Sequence, residues 1–415
     1  MRFLHLADLH FGKSIYGVSL TDSGDQQAWT ERFLELAREV NPQAVVIAGD
    51  VYDRGQPPGK AVALLGSLVT GLAEAGIAVL ITAGNHDSLQ HLSFLSSLLA
   101  ESKVYISAPF GEDGEMVHAT LEDEYGPITF WMLPYVYPAM IAQALKDESI
   151  RDYPTAVRRI LEKQPIDFTQ RNVLVAHQNV TAGGREIERG GSESMVGGIG
   201  QVDYRVFDGF DDAALGHIHS SYPVGRETVR YAGSPLVYHF NEIRQPEKGP
   251  LLVTLPEKGG EICIERQVIE PLHRMREIRG GYEEIQKAVL ADPWKNEYLK
   301  IILTDTRVTP EKSGFLHDYA KAHGSTVMEL TSEYRQFEGE AALRNAREVR
   351  EKPVGELFAD FYRERNKGID PEEADLALMA YTGEVAGSVP DEQKDLEEEA
   401  RKVLDYVLKQ EEDRQ

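Results

Sequence analysis

The sequence predicts an α/β fold in which strands and helices alternate in layers, with a smaller domain and a helical tail behind it. Three observations carry this expectation. Short apolar runs alternate with amphipathic stretches up to about residue 110, further apolar runs recur to about residue 255 between polar, glycine-rich connections, and the texture changes near Pro271 and again after Gln336. A chain of 415 residues also exceeds what one core usually serves, so a large domain with smaller appendages is expected.

Taken in order, residues 3–7 form the first apolar run, followed by a helical pattern near 25–40 and a second run at 44–48. A helix near 59–75, a run at 78–82, a helix near 89–100 and a run at 104–107 continue the alternation. Runs at 128–133, 173–176, 213–215 and 251–255 suggest a second sheet. Beyond Pro271, a run at 298–303, a helix near 310–323 and a run at 326–330 read as a strand-helix-strand unit. After Gln336 the strand signals stop and acidic, helical sequence remains, with helix starts at Asp370-Pro371 and Pro390-Asp391.

Composition narrows the function classes. Hydrophobic residues make up 42% of the chain, and no apolar run approaches the roughly 20 residues needed to cross a bilayer, which predicts a soluble protein without a membrane role. The first residues run into a buried-strand pattern without the zones of a signal peptide, and the single cysteine, Cys263, has no partner for an internal disulfide; both fit a reducing cytoplasm. A formal charge of −24 argues against nucleic-acid binding through a broad basic surface. A pair of divalent ions would offset part of it locally, with about four positive charges.

The chemistry lies just past the apolar runs. Asp8 and His10 follow the first, Asp50 the second, Asn85, His86 and Asp87 the third, His177 the run at 173–176, and His217 with His219 the run at 213–215. A lone Asp after a strand is ordinarily a cap or turn residue, and a lone histidine is ordinarily packed or exposed. Here, however, five of 12 histidines share this position, each near a small residue or glycine. In Asp8-x-His10 and His217-x-His219, alternate residues of an extended segment point the same way, so each pair can grip adjacent ions. Gly49, Gly84 and Gly216 would let backbone pass close to a crowded centre.

These segments, Asp8-x-His10, Gly49-Asp50-x-x-Asp53, Gly84-Asn85-His86-Asp87, Ala176-His177 and Gly216-His217-x-His219, resemble the five motifs of the calcineurin-like metallophosphoesterase superfamily. The resemblance implies a four-layer αββα sandwich with two metals at the strand ends. One metal would take Asp8, His10 and His219, the other Asn85, His177 and His217, with Asp50 bridging. A hydroxide held between the ions would attack phosphorus in line. His86 would contact the phosphate or protonate the leaving oxygen, and Asp53 would orient His86 as a supporting carboxylate. Mixed oxygen and imidazole ligands suit Mn²⁺, Fe²⁺ or Zn²⁺, and the resemblance points to two manganese ions.

Three substrate classes share such a core: DNA, phosphoproteins and cyclic or other small nucleotides. The element Gly49-Asp50-Val51-Tyr52-Asp53-Arg54-Gly55 is similar to one in protein phosphatases, where the arginine grips phosphate, so Arg54 is a candidate substrate ligand and a calcineurin-like phosphatase or cyclic-nucleotide phosphodiesterase is the alternative. Against a phosphatase, Asp87 stands where that family has Glu. Four further stretches, residues 2–8, 174–178, 214–219 and 231–236, resemble the nuclease subunits of SbcCD-type DNA double-strand-break repair complexes.

That resemblance implies a nuclease domain over residues 1–270, a capping domain over 271–335, and a linker with a helical ATPase-binding segment over 336–415. It further implies a manganese-dependent 3′ to 5′ exonuclease on duplex ends that also cuts hairpins and single strands. The protein would act as a homodimer, forming a heterotetramer with a coiled-coil ATPase. Apolar residues 61–72 and 92–99 are candidates for the dimer interface or for ordinary core. Residues 354–362 and 376–381 are candidates for gripping the ATPase or for packing on the capping domain. Deleting 350–415 would then leave hydrolysis intact and abolish complex formation. The glycine-rich stretch 183–200 reads as a connector or a substrate loop. A scaffold without catalysis is the non-enzymatic alternative, and the intact motifs argue against it.

Overall fold

The computed structural model describes residues 1–111, 114–183, 200–291, 293–334 and 363. The predicted tail helices and most of the glycine-rich stretch lie outside the described residues.

Two six-stranded sheets make up the first 270 residues. In the first, Arg2–Leu6, Ala44–Ala48, Ala78–Thr82 and Val104–Ile106 run parallel, and Leu251–Thr254 with Cys263–Arg266 complete it antiparallel beside Arg2–Leu6. In the second, Gly126–Leu133, Arg171–His177, Asp212–Gly216 and Arg226–Tyr231 run parallel, with His118–Asp123 and Pro223–Val224 as antiparallel edges. Alternation along each strand sorts side chains onto two faces. Ala44, Val46 and Ala48, with Ala78 and Leu80, meet Phe130, Met132, Val173 and Val175 between the sheets. Val45, Ile47, Val79 and Ile81 pack outward on Trp29 and Phe33 of helix Asp25–Val40 and on Leu64 and Leu68 of helix Gly59–Glu74. On the other side Leu174, Ala176, Ala213 and Leu215 pack on Ile141 of helix Pro138–Leu145 and on Val157 and Ile160 of helix Tyr153–Lys163. The order is helix, sheet, sheet, helix, the expected four layers.

The elements depart from expectation in several places, among them two helices, Pro138–Leu145 and Tyr153–Lys163, that stand where polar connections are expected. The helix expected near 89–100 is two short pieces, Leu89–Leu92 and Ser96–Ala100, because Leu95 adopts a left-handed conformation with φ 63°. The unit after Pro271 is larger than strand-helix-strand. Its parallel sheet runs Arg274–Gly280, Glu297–Leu303, Thr326–Ser332, with helices Tyr282–Ala291 and Pro310–Ala322 as connections. The strand Arg274–Gly280 alternates charged and part-buried residues and carries no apolar run, which is why it does not stand out in the sequence.

This unit has its own core of Leu299, Ile301, Leu316, Ala320 and their neighbours. Contacts nevertheless group Met1–Tyr334 into one compact unit. The junction is polar and buried. Asp25 accepts from the His273 backbone N–H at 3.2 Å, from His273 Nδ1 at 3.0 Å and from the Tyr298 hydroxyl at 2.5 Å.

Candidate metal centre

All the motif residues leave the carboxyl ends of parallel strands, and the two sheets bring those ends together. The loops after Arg2–Leu6 and Ala44–Ala48 are tied by backbone bonds from Asp8 N–H to Gly49 O (3.0 Å) and from His10 N–H to Asp50 O (2.9 Å). Four of the motif residues sit at positive φ: Asp8 at 55°, His10 at 43°, Asp50 at 49° and His217 at 106°. Such conformations cost free energy that the surrounding structure must supply, and they gather where function demands a given side-chain direction. Three glycines make the crowding possible, Gly49 among them, where a Cβ would stand 2.3 Å from His177 Nδ1. A Cβ on Gly84 would stand 2.1 Å from Asp50 Oδ1, and one on Gly216 would stand 1.8 Å from Ala48 O.

Hydrogen bonds fix which imidazole nitrogen is turned to the centre. His177 gives its Nδ1–H to Ala48 O at 2.8 Å, which turns Nε2 to the centre, 3.4 Å from Asp50 Oδ2 and 3.2 Å from Asn85 Oδ1. His217 Nδ1 lies 3.1 Å from the same Asn85 oxygen. On the other side, His219 gives Nδ1–H to Glu242 Oε1 at 3.2 Å, and His10 Nδ1 faces Asp53 Oδ1 at 3.3 Å. The two remaining nitrogens, His10 Nε2 and His219 Nε2, then face each other at 3.2 Å. Asp8 Oδ1 accepts from His217 N–H at 3.0 Å, and Asp8, His10 and His219 form one tight donor group while Asp8, Asp50 and His177 form another. Lone pairs pointed at lone pairs repel unless a cation stands between them. The donor set therefore fits divalent metal ions, with Asp8, His10, His219, Asp50 and His177 in groups that could hold one and Asn85 and His217 beside them.

The electrostatics agree. Burial works against the charged form of His177, but the Asp50 carboxylate raises its pKa to about 9. The proton held there stands where a cation would, and metal uptake would release it. Burial likewise opposes the charge on Asp50, yet the imidazoles, His177 foremost, hold its pKa well below the usual carboxylate range. Burial lowers His10 to about 4 and raises Asp8 to about 6.

His86 stands at the edge of this group, its ring centroid 4.9 Å from that of His10, and its backbone N–H donates to Asp50 Oδ1 at 3.0 Å. Its Nδ1–H donates to the backbone carbonyl of Asp53 at 2.9 Å. Asp53 thus meets His86 through its main chain, not through its carboxylate as expected. That carboxylate takes Lys13 Nζ at 2.8 Å and faces His10 instead. Arg54 lies in the same loop, exposed to solvent next to the part-buried Asp53. Asp87 accepts three backbone N–H bonds, from Val51, Tyr52 and Gly84, and braces the loops that carry Asp50 and Asn85.

Three residues at the site carry no sequence signal. Glu242, on the short helix Phe240–Arg244, is buried, holds His219 and accepts from Tyr238 N–H at 3.1 Å. Lys248 Nζ lies 3.5 Å from Glu242 Oε2 and donates to His219 O at 2.8 Å. The Tyr238 ring packs edge-on against His10 and His219. All three lie beyond the last motif, in sequence with neither periodicity nor a distinctive spacing.

Residues 1–221 match the calcineurin-like phosphoesterase family, and residues 271–366 match the type 5 capsule protein repressor C-terminal domain. The SbcD component of the SbcCD nuclease from Staphylococcus saprophyticus subsp. saprophyticus is 30% identical over 303 residues, covering 72% of this chain and 77% of that protein. Its counterpart of the same name from Staphylococcus epidermidis is 28% identical over 311 residues, 74% of this chain and 79% of its own. The chain is thus a calcineurin-like phosphoesterase and belongs to the SbcD family of SbcCD nuclease components.

Proposed function

We propose that this chain hydrolyses DNA phosphodiesters at a dimanganese centre, as a 3′ to 5′ exonuclease on duplex ends and an endonuclease on hairpins and single strands. One observation carries the two-metal reading: Asp50 Oδ2 lies 3.5 Å from His10 Nε2 and 3.4 Å from His177 Nε2, midway between two sets of ring nitrogens. Asp8, His10 and His219 would hold one ion and Asn85, His177 and His217 the other, with Asp50 shared. Fe²⁺ and Zn²⁺ suit the same donors. Bound there, the ions supply Lewis acidity and an activated nucleophile.

The chain's own residues do the rest. His86, its tautomer set by the Asp53 carbonyl, presents Nε2 to the phosphate or to the leaving oxygen. Asp53 keeps Lys13 and His10 in place, and Arg54 offers a guanidinium to a flanking phosphate.

The partners we propose are DNA, a second copy of the chain, and an SbcC-type coiled-coil ATPase, together a heterotetramer in the cytoplasm at the nucleoid. Exposed Phe94 (73%), Leu98 (62%), Leu95 (51%) and Val62 (48%) support the homodimer, since large apolar side chains in such number are rarely left to solvent. Helix Gly59–Glu74 buries Ala61, Leu64, Leu65, Leu68 and Leu72 in the chain's own core, so Val62 is what it offers to a partner. The ATPase-binding role is assigned to residues 336–415, and deleting 350–415 is expected to abolish complex formation while hydrolysis persists. Among the described residues no helix is long and apolar enough to cross a membrane.

The test compares the protein and its His86→Ala variant, each with manganese, on end-labelled duplex and hairpin DNA, a phosphopeptide and a cyclic nucleotide. Cleavage of DNA lost in the variant is expected. Intact DNA beside a hydrolysed phosphopeptide or cyclic nucleotide would transfer the chain to the alternative class.

A further inference from the structure

Three tyrosines stand beside the metal centre on the side of His177 and His217. The ring of Tyr135 lies 6.0 Å from that of His217 and 6.2 Å from that of His177, centroid to centroid. Tyr137 follows at 5.0 Å from Tyr135, and Tyr153 at 6.2 Å. This row begins at the metal ligands and ends in solvent, because Tyr137 is 49% exposed. None of its members is a ligand or a proton donor in the chemistry above.

The local sequence fixes the arrangement. The Tyr135 backbone N–H donates to Ala83 O at 2.8 Å, which ties the row to the loop that carries Asn85. Tyr137 precedes Pro138, and a residue before proline is held extended; its φ of −103° and ψ of 133° fit that constraint. The ring is therefore presented outward by a stiff backbone. Tyrosine loses little conformational freedom on binding, and an aromatic face left half in water is well suited to a second flat, apolar face.

Resting on the nuclease reading above, we infer that Tyr137, backed by Tyr135 and Tyr153, is a stacking platform for the unpaired base of the nucleotide whose phosphate is cut. A nucleobase is the flat group that a nucleic acid necessarily carries within one nucleotide of the phosphate at the metals. Stacking is indifferent to base identity, as a nuclease without sequence preference requires. Stacking also asks the base to leave the duplex, which is easiest at frayed ends, in hairpin loops and in single strands. The platform thus accounts for a taste for ends and hairpins in a chain of formal charge −24.

The experiment uses the full chain with manganese and two single-stranded oligonucleotides, identical except that one has an abasic residue at the nucleotide that is cut. The wild type is expected to show a KM roughly 10-fold or more higher for the abasic strand, the typical effect of one lost base–aromatic stack. Tyr137→Ala should raise KM for the ordinary strand by a similar factor, with no added penalty for the abasic one, so that the two losses do not add. Tyr137→Phe should behave as wild type. Equal KM values for both strands in the wild type, or discrimination that survives in Tyr137→Ala, would overturn the platform and leave the nuclease standing. Failure of the wild type to cut either strand would instead remove the nuclease reading, and the platform with it.

Discussion

Replacing Glu242 by Gln changes one charge and almost no volume at a residue that touches no substrate. Its Oε1 holds His219 Nδ1 at 3.2 Å, inside a buried network closed by Lys248 Nζ at 3.5 Å and the Tyr238 backbone N–H at 3.1 Å. The amide oxygen of Gln still accepts from Nδ1–H, so the tautomer survives. What is lost is the negative charge that raises the basicity of Nε2. Carboxylates in this supporting position typically contribute 10- to 100-fold in metal affinity, about 1.4–2.7 kcal/mol. Only one of two ions should feel the change, because His177 takes its orientation from Ala48 O and not from Glu242. Calorimetric titration of Mn²⁺ into metal-free protein should therefore give one weakened step and one unchanged step in Glu242→Gln. Lys248→Met removes the counter-charge while leaving Glu242 in place, and it should weaken neither step by as much. Two unchanged steps in a folded Glu242→Gln protein would exclude this role for Glu242, as would equal weakening of both.

Other consequences follow from single contacts. His5 is buried between the sheets and donates Nε2–H to Leu215 O at 3.1 Å, and burial lowers its pKa to about 3 from the ordinary 6.5. The unfolded chain takes the proton first, so this stabilisation is complete above pH 6.5 and is lost as pH falls toward 3; by pH 5 the loss is about 2 kcal/mol. His5→Gln should flatten that part of a denaturation-versus-pH curve, and an unchanged curve would exclude the assignment. Gly84→Ala drives a Cβ against Asp50 Oδ1, and a displacement near 1 Å should reduce turnover about 100-fold and weaken metal binding; full manganese affinity would contradict this. Asp25→Asn weakens the buried contacts to His273 and Tyr298 and should cost about 1–3 kcal/mol in urea denaturation, with faster amide exchange in strand Glu297–Leu303. Unaltered exchange there would show that the junction rests on apolar contacts alone.

What is legible in the sequence, and what is not, follows from the range of each interaction. Strands 44–48 and 78–82 are readable because burial on both faces of a parallel strand leaves an unbroken apolar run. The candidate ligands are readable because the carboxyl ends of those strands, where short loops must turn, carry Asp, Asn and His beside glycines that no larger residue could replace. Helix Tyr153–Lys163 escapes the sequence reading although its buried residues, Ala156, Val157, Ile160 and Leu161, have helical spacing; charged residues break the apolar run and the polar segments on either side hide it. The break at Leu95 is not readable, since nothing in a leucine announces a left-handed backbone. Glu242, Lys248 and Tyr238 reach the site across more than 200 residues of chain from Asp8, through contacts that only the packed sheets create. The role of Asp53 is half readable. Its place beside His86 follows from the motif, but whether main chain or carboxylate makes the contact depends on Lys13, which competes for the carboxylate.

A shared pair of ions acting on DNA can be tested by counting the ions. Metal-free protein would be equilibrated with increasing manganese, the bound equivalents per chain measured, and hydrolysis of end-labelled duplex and hairpin DNA followed at each occupancy. Two equivalents per chain are expected, with DNA hydrolysis rising only as the second is filled. A single equivalent at saturation, or full hydrolysis with one ion bound, would contradict the two-metal site built around Asp50.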